Sequence, residues 1–403
     1  MNDNKILKKV SDDELYEIAS DLVKIPSYTG LENQEKKVAD YICKFFKKEK
    51  IEVKSYKVLE GRPNIVAIIR GTGKGKSLML SGHMDTVPPY KMKINPFSGE
   101  IKNEKLYGRG SCDMKGALAC MMSAMAAIKK SGEKLSGNLV FTAVINEEQK
   151  SEGTEYLVKN GPYTDAAIVG EPTNLNIAAG HRGLEWFEID IIGKTTHGGT
   201  PSEGINAISK AAKLITRIET DLIPKFKDRK HPLIGEPLLN FGVIKGGDQP
   251  SSVAGRCSIY IDRRWIPSES FDLIVNEFKS IINDLKKEDS SFNAEIHRYF
   301  EDSDMMLHKP LEIDIKHPII LSLEKSIRKS TEKSPKIVSF QAWTDASLLS
   351  NFGNIPSVVF GPGYLKDAHS DVEFIDLYQL KKAYEIYTLT SIDFCNGNKT
   401  NDE

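Results

Sequence analysis

The sequence predicts an α/β protein: a mostly parallel mixed sheet with helices on both faces, interrupted by a smaller α+β unit of ferredoxin-like type. Three observations carry this expectation. Short apolar runs alternate with helical patterns through the first 180 positions, and polar, chemically capable residues gather just after those runs. The pattern changes between about 180 and 300 and then resumes. At 403 residues the chain exceeds what one core comfortably serves, so the expected division is 1–179, an insert over 180–302, and 303–403.

Taken in order, Asp12–Ala19 and an amphipathic stretch from about Glu32 to Lys48 read as helices separated by the turn IPSYTGLE. IEVKSYKV and NIVAIIR (Asn64–Arg70) read as strands. GTGKGKS (Gly71–Ser77) superficially matches a phosphate loop, but Arg70 stands where that pattern needs glycine and a strand follows, not a helix. A lysine-rich hairpin turn is expected there. LMLSGHMD is a buried strand running into a loop, with Gly82 giving the backbone room to turn. DMKGALACMMSAMAAIKKSG (Asp113–Gly132) is a helix whose Met121, Met122 and Met125 belong to the core. NLVFTAVINEE is a strand ending in acids, SEGTEYLVKNG a short helix, and AAIVGEP a strand ending in Glu171.

The insert reads strand (LEWFEIDIIGK), helix (GINAISKAAKLITRIETDL), two strands (LLNFGVIKGG, CSIYIDRRW), helix (SESFDLIVNEFKSIINDL) and strand (FNAEIHRYF). HPIILSLEKSIRKS, SVVFGPG and DLYQLKKAYEIYTLTSIDFC then supply helix, strand and helix to the first sheet, and the tail GNKTNDE is expected to fray.

The formal net charge of -1 argues against a nucleic-acid binder or a polybasic membrane surface. No apolar run is long enough to span a bilayer, and the polar N-terminus has no signal-peptide core. Five scattered cysteines without a CxxC pair fit a reducing compartment, so a cytoplasmic location is expected. Cys112 has no base assigned to it and is not expected to be a nucleophile.

The apolar strands end in metal-competent groups: His83 and Asp85 in GHMD, Glu147 and Glu148 in INEE, Glu171 in VGEP. To these the loop KDAHSD adds His369, and RGSCDMKG places Asp113 at a helix start. Singly, each has an ordinary reading, because an aspartate before a helix is an N-cap and a glutamate after a strand faces water. Together, two imidazoles and three carboxylates satisfy two divalent ions about 3.5–4 Å apart, each taking one His, one terminal carboxylate and one shared carboxylate. Such N and O donors match zinc, cobalt or manganese. Adjacent Glu147 and Glu148 point apart on extended backbone, so one binds while the other serves as general base; spacing does not say which. Asp85, two residues from His83, shares its face and is placed to accept the other ring N–H.

SGHMDTVPP, YGRGSCDMKGALA, NEEQKSEGTEYL, VGEPT and AHSDVEFI closely resemble, in that order, the motifs of the M20-type dinuclear-zinc metallopeptidases. That group includes acetylornithine deacetylase, succinyl-diaminopimelate desuccinylase, aminoacylase and glutamate carboxypeptidase. HRGLEWFEIDIIGKTTHGGTPSEGINAI resembles the start of their lid domain, so the resemblance covers nearly the whole chain.

The resemblance implies that His83 and Glu171 hold one ion, Glu148 and His369 the other, and that Asp113 bridges. It makes Glu147 the general base and then the acid for the leaving amine, with Asp85 orienting His83. His197, in TTHGGTP, matches the lid histidine that stabilises the oxyanion, often in the partner subunit's site; by composition alone it is loop material. Arg264, in YIDRRW, matches the arginine that binds substrate carboxylate, with Arg263 as its alternate and a solvated or salt-bridged strand arginine as the plain reading. Gly361 and Gly363 would line the pocket with backbone. One departure is Ser251, where many members have Asn, so substrate identity does not transfer.

The resemblance also implies two divalent cofactor ions, zinc foremost, and a homodimer formed through the insert, which would be a lid and dimerisation domain. The implied reaction is hydrolysis of a small N-acyl amino acid, with action on short peptides as dipeptidase or carboxypeptidase, or on N-carbamoyl amino acids, as alternatives. A non-catalytic binding protein would need a broken ligand set, and every residue of it is present.

Overall fold

The computed structural model describes residues 3–299 and 305–397. The tail 398–403, Phe300 of the expected last insert strand, and the expected boundary at 302 lie outside the described residues. Among the described residues no helix is long and apolar enough to cross a membrane. The chain divides into two compact units: Met1–Gly180 with Glu312–Phe340 and Thr344–Glu403, and His181–Leu311 with Gln341–Trp343.

Unit one begins with α1 (Asp3–Leu7), α2 (Asp12–Lys24) and α3 (Lys36–Lys48). Ser11 caps α2 by accepting from Glu14 N at 3.1 Å, and three acids follow in the first turn. This helix runs past the expected end at Ala19 because Leu22 and Val23 are also buried. Next come β1 (Glu52–Leu59), β2 (Arg62–Ile69), β3 (Leu78–His83), β4 (Ile101–Lys102), β5 (Lys105–Tyr107), α4 (Gly116–Ser131), β6 (Leu139–Val144), α5 (Glu152–Asn160), β7 (Ala166–Val169) and β8 (Ile177–His181). Helix α4 is buried from Gly116 through Ile128, which its small residues and methionines permit.

Unit two comprises β9 (Gly183–Ile192), α6 (Ala207–Arg217), β10 (Leu238–Gly246), β11 (Arg256–Trp265), α7 (Phe271–Glu288) and β12 (Ala294–Arg298). Its antiparallel sheet has the order β10-β11-β9-β12, the split βαβ arrangement of a ferredoxin-like unit. Phe187, Ile189 and Ile191 of β9 pack with Leu214 of α6 and Ile274 and Phe278 of α7 in one core. The unit also takes back Gln341–Trp343, which the sequence reading left in the first sheet's domain. The reason is local: the Trp343 ring stacks on His308 at 3.9 Å and its Nε1 donates to the Lys309 carbonyl at 3.1 Å.

The chain then adds β13 (Leu311–Glu312), α8 (Pro318–Thr331), β14 (Ile337–Phe340), α9 (Ala346–Asn351), β15 (Ser357–Val359), β16 (Phe374–Asp376) and α10 (Leu377–Asn396). The large sheet has the order β1-β2-β6-β3-β7-β15-β8-β13, with β14 against β8. At its centre β3 is parallel to both β6 and β7, and β15 is parallel to β7. These strands are buried throughout, which is why they read as unbroken apolar runs. Being parallel, they deliver their carboxyl ends, and the polar residues that follow, to one edge of the sheet.

Two local expectations are corrected. Gly71–Ser77 is not a hairpin turn, because β6 lies between β2 and β3; the segment is a crossover held by Thr72 and Gly73 N–H groups on the carbonyls of Leu135 and Ser136. Gly82 does not serve a turn, since it lies within β3. A Cβ there would stand 2.4 Å from Met114 Cε and 2.9 Å from Leu118 Cδ2, so glycine is needed for close packing beneath the site.

Candidate metal centre

His83 is the last residue of β3, Glu147 and Glu148 follow β6, and Glu171 follows β7, so three neighbouring strands aim their ends at one place. Asp113 is not in the helix itself, which begins at Gly116. It sits in a preceding π-type turn, Ser111–Lys115, with extended φ and ψ of -127° and 97°. His369 enters on a loop with φ +58°.

The Asp113 carboxylate has a different imidazole at each oxygen. His83 Nε2 is 3.0 Å from Oδ1, and His369 Nε2 is 3.3 Å from Oδ2. A separate glutamate accompanies each ring: Glu171 Oε1 lies 3.6 Å from His83 Nε2, and Glu148 Oε1 3.0 Å from His369 Nε2. Ligand atoms of His83, Asp113 and Glu148 all lie within 4.8 Å of one another, as do those of His83, Glu147 and Glu171. All of these residues belong to unit one.

The electrostatics of the cluster call for cations. Burial pushes Glu147 and Glu171 well above the usual carboxylate range, reinforced by the charges of Glu171 and Asp113 respectively, and it pushes Glu148 up against the opposing His369 hydrogen bond. Burial also opposes ionisation of Asp113, but hydrogen bonds from His369 and His83 outweigh it and hold this carboxyl below its ordinary value. Although burial disfavours their charge, His83 is raised well above its ordinary value by Asp113 and Asp85, and His369 is raised to about 11 by Asp113 and Glu148. Both rings and their glutamate neighbours thus shift in the direction that a shared positive charge would relieve. Glu171 Oε1 is buried without a hydrogen-bond partner. Two imidazoles among four carboxylates, one with an orphaned oxygen, are a donor set that fits two divalent ions.

Asp85 differs from its expected role. The His83 Nδ1–H donates to the Asp85 backbone carbonyl at 3.0 Å, while the carboxylate is 3.6 Å away. A carbonyl only accepts, so it places the proton on Nδ1 and leaves Nε2 for the ion position. The Asp85 side chain instead accepts the backbone N–H groups of Glu147 (3.2 Å) and Glu148 (3.0 Å), holding both glutamates. Asn146, at φ +63°, donates its own N–H to Glu35 Oε1, and Arg62 bridges Glu35 and the Asn146 side chain. The sequence reading missed Glu35 and Arg62, which carry no motif of their own.

The two glycines expected to line the pocket have their N–H groups engaged within unit one. Gly361 N–H is taken by Thr173 Oγ1 and Gly363 N–H by Gln379 Oε1. A Cβ on Gly361 would stand 2.3 Å from the Gly170 carbonyl, so this glycine braces the strand end that carries Glu171. Cys112 is buried and its thiol is raised well above its ordinary value by burial, as expected of an inert residue.

Unit two holds the remaining candidates. Arg263 is fully buried against Glu269 and the Phe226 ring, a structural role that removes it as alternate to Arg264. Arg264 is half-buried and pairs in bidentate fashion with Asp262 at 2.7 and 2.9 Å. His197 is exposed, and its Nδ1 accepts the Gly199 N–H at 3.0 Å. The Ser251 carbonyl accepts from Gly198 N, so the departing residue shapes the His197 loop through its backbone.

An α/β sheet with a His and carboxylate cluster at its carboxyl edge, fit for two divalent ions, defines a dinuclear metal hydrolase. The model of peptidase family M20/M25/M40 matches residues 79–392, and the chain belongs to that family of metal-dependent hydrolases acting on carbon–nitrogen bonds. It is 29% identical to an N-formyl-4-amino-5-aminomethyl-2-methylpyrimidine deformylase of Bacillus subtilis, covering 97% of each chain. It is 29% identical to a probable succinyl-diaminopimelate desuccinylase of Staphylococcus aureus, over 95% of this chain and 98% of the relative. Among solved structures, an M20 family metallo-carboxypeptidase from Sulfolobus solfataricus superposes with a TM-score of 0.80 at 20% identity, over 95% and 99% of the two chains.

Replacing Asp85 by Asn presents an amide NH2 to one of the two glutamate N–H groups and leaves that donor buried without an acceptor. Urea unfolding of the metal-stripped D85N variant should show a loss of about 1–3 kcal/mol. Stability equal to the parent's would remove Asp85 from its role in holding the glutamate pair.

Proposed function

We propose that this chain is a deacylase that hydrolyses the amide of a small N-acyl amino compound, foremost an N-acyl amino acid, using two divalent ions. The observation that carries the two-ion reading is Asp113, with a different imidazole at each of its oxygens and a further carboxylate beside each imidazole. In this reading His83 and Glu171 hold one ion, Glu148 and His369 the other, and Asp113 both, with zinc the foremost metal. Support for the acyl substrate comes from relatives named as a deformylase, a desuccinylase and an acetylornithine deacetylase, each aligned over about nine-tenths of this chain or more.

When bound, the ions supply Lewis-acid polarisation of the scissile carbonyl and a lowered pKa for the attacking water. Glu147 takes the proton from that water and returns it to the departing amine. The Asp85 carboxylate keeps Glu147 and Glu148 on one rigid turn, so base and ligand hold their separation. By the family resemblance His197 is the candidate to stabilise the developing oxyanion, in this or a partner subunit's site, and Arg264 the candidate to bind the substrate carboxylate. Two chains pair through unit two, where β10 ends the sheet with Leu238, Val243 and Ile244 exposed along its free edge.

Metal-stripped and Zn-, Co- or Mn-restored protein, assayed on N-formyl, N-acetyl, N-succinyl and N-carbamoyl amino acids and on dipeptides, tests the substrate class. An N-acyl substrate should exceed every dipeptide by at least about tenfold in kcat/KM; the opposite order makes the protein a peptidase. For Glu147→Ala, kcat should fall by about 10²–10⁴ while two ions per chain remain, and near-parental turnover would dismiss Glu147 as the base. Sedimentation velocity should give a dimer that Ile244→Lys converts to monomer; a monomeric parent rejects the pairing.

A further inference from the structure

Glu373 is buried completely although nothing in the reaction uses it. The antiparallel pairing of β16 with β5, which sets Phe374 opposite Tyr107, lays Glu373 beside the loop that leads to Asp113, and Gly108 N donates to the Glu373 carbonyl at 3.0 Å. Around its side chain that loop is wrapped. One oxygen, Oε1, accepts the backbone N–H groups of Gly110 (3.0 Å), Cys112 (3.0 Å) and Asp113 (3.1 Å). The other, Oε2, pairs with the buried guanidinium of Arg109. Gly110 closes the turn at φ +84°, where a Cβ would lie 2.7 Å from Thr86 Cγ2.

The same short segment, His369–Glu373, therefore meets Asp113 twice: the His369 ring at the carboxylate and Glu373 at the backbone N–H. We propose that Glu373 is a positioning residue for both metal ions, holding the Asp113 loop so that each carboxylate oxygen faces its own imidazole. This inference rests on the ligand set proposed above. A ligand that serves one ion, such as Glu171, affects chiefly that ion when removed. A group that aims the shared carboxylate affects both, because rotating or withdrawing Asp113 takes a donor from each position at once.

The test is Co(II) titration of the metal-stripped full chain by calorimetry and visible absorption. Glu373→Asp keeps the charge for Arg109 but withdraws the acceptor by one methylene. It should weaken both ions by about tenfold or more and alter the visible cobalt bands, with far-ultraviolet circular dichroism unchanged. Arg109→Met combined with Glu373→Gln keeps an oxygen at the original reach and removes the cation that would be left unpaired. It should hold both affinities to a loss of less than about tenfold.

Parental affinities and bands in E373D, or weakening of one ion alone, overturn the proposal. If E373D does not fold, Arg109→Met with Glu373→Ala, which removes the acceptor and leaves no cation unpaired, takes its place: weaker binding of both ions there than in the Gln double variant supports positioning by the acceptor, and equal binding in the two refutes it. Asp113→Ala separates the two levels of inference. If it retains two ions at parental affinity, the ligand set fails and this proposal with it. If it loses them while E373D does not, only the role of Glu373 fails.

Discussion

One carboxylate stands between two imidazoles, and most of what surrounds it follows from that placement. Asp113 approaches His83 with one oxygen and His369 with the other, and each ring has its own glutamate. Packing so much negative charge beneath the surface costs free energy unless cations join it, which is why burial raises the neighbouring glutamates and the carboxylates raise both rings. The centre thus favours positive charge, and backbone hydrogen bonds to buried carboxylates hold the turns that carry its donors.

Those hydrogen bonds form a repeated device. Asp85 gathers the N–H groups of Glu147 and Glu148, Glu35 takes that of Asn146, and Glu373 takes three in the loop before Asp113. In each case a buried carboxylate holds the backbone of a ligand-bearing turn, so the turn stays rigid without a helix or strand of its own. The parallel strands beneath bring the turns to one edge of the sheet, and the carboxylates hold their backbone.

How legible this was in the sequence divides along the same line. Buried parallel strands announce themselves as unbroken apolar runs, and the residues that end them stand out chemically, so His83, Glu147, Glu148 and Glu171 could be proposed as a group, with Asp113 and His369 joined by motif. The ferredoxin-like insert was legible from its alternating order of elements. What could not be read was whatever depends on two remote segments meeting. Glu373 sits inside a quoted motif, yet its partners lie more than 250 positions earlier. Gly71–Ser77 looked like a hairpin because no local feature reveals that β6 inserts between β2 and β3. Gly82 was assigned to a turn, whereas it lies within a strand where Met114 and Leu118 approach closely. Trp343 returns to unit two through a ring stack that no sequence pattern marks.

The chain order of the cluster bears on how the protein is made. His83, Asp113, Glu147, Glu148 and Glu171 all precede the insert, and His369 and Glu373 follow it. A growing chain therefore displays five of the six clustered groups while unit two is still being synthesised. At that stage Asp113 has His83 at one oxygen but not the imidazole that meets the other, and its loop lacks the carboxylate that accepts its N–H groups. The two halves of the cluster, one on each side of the insert in the chain, therefore meet only after unit two has been synthesised.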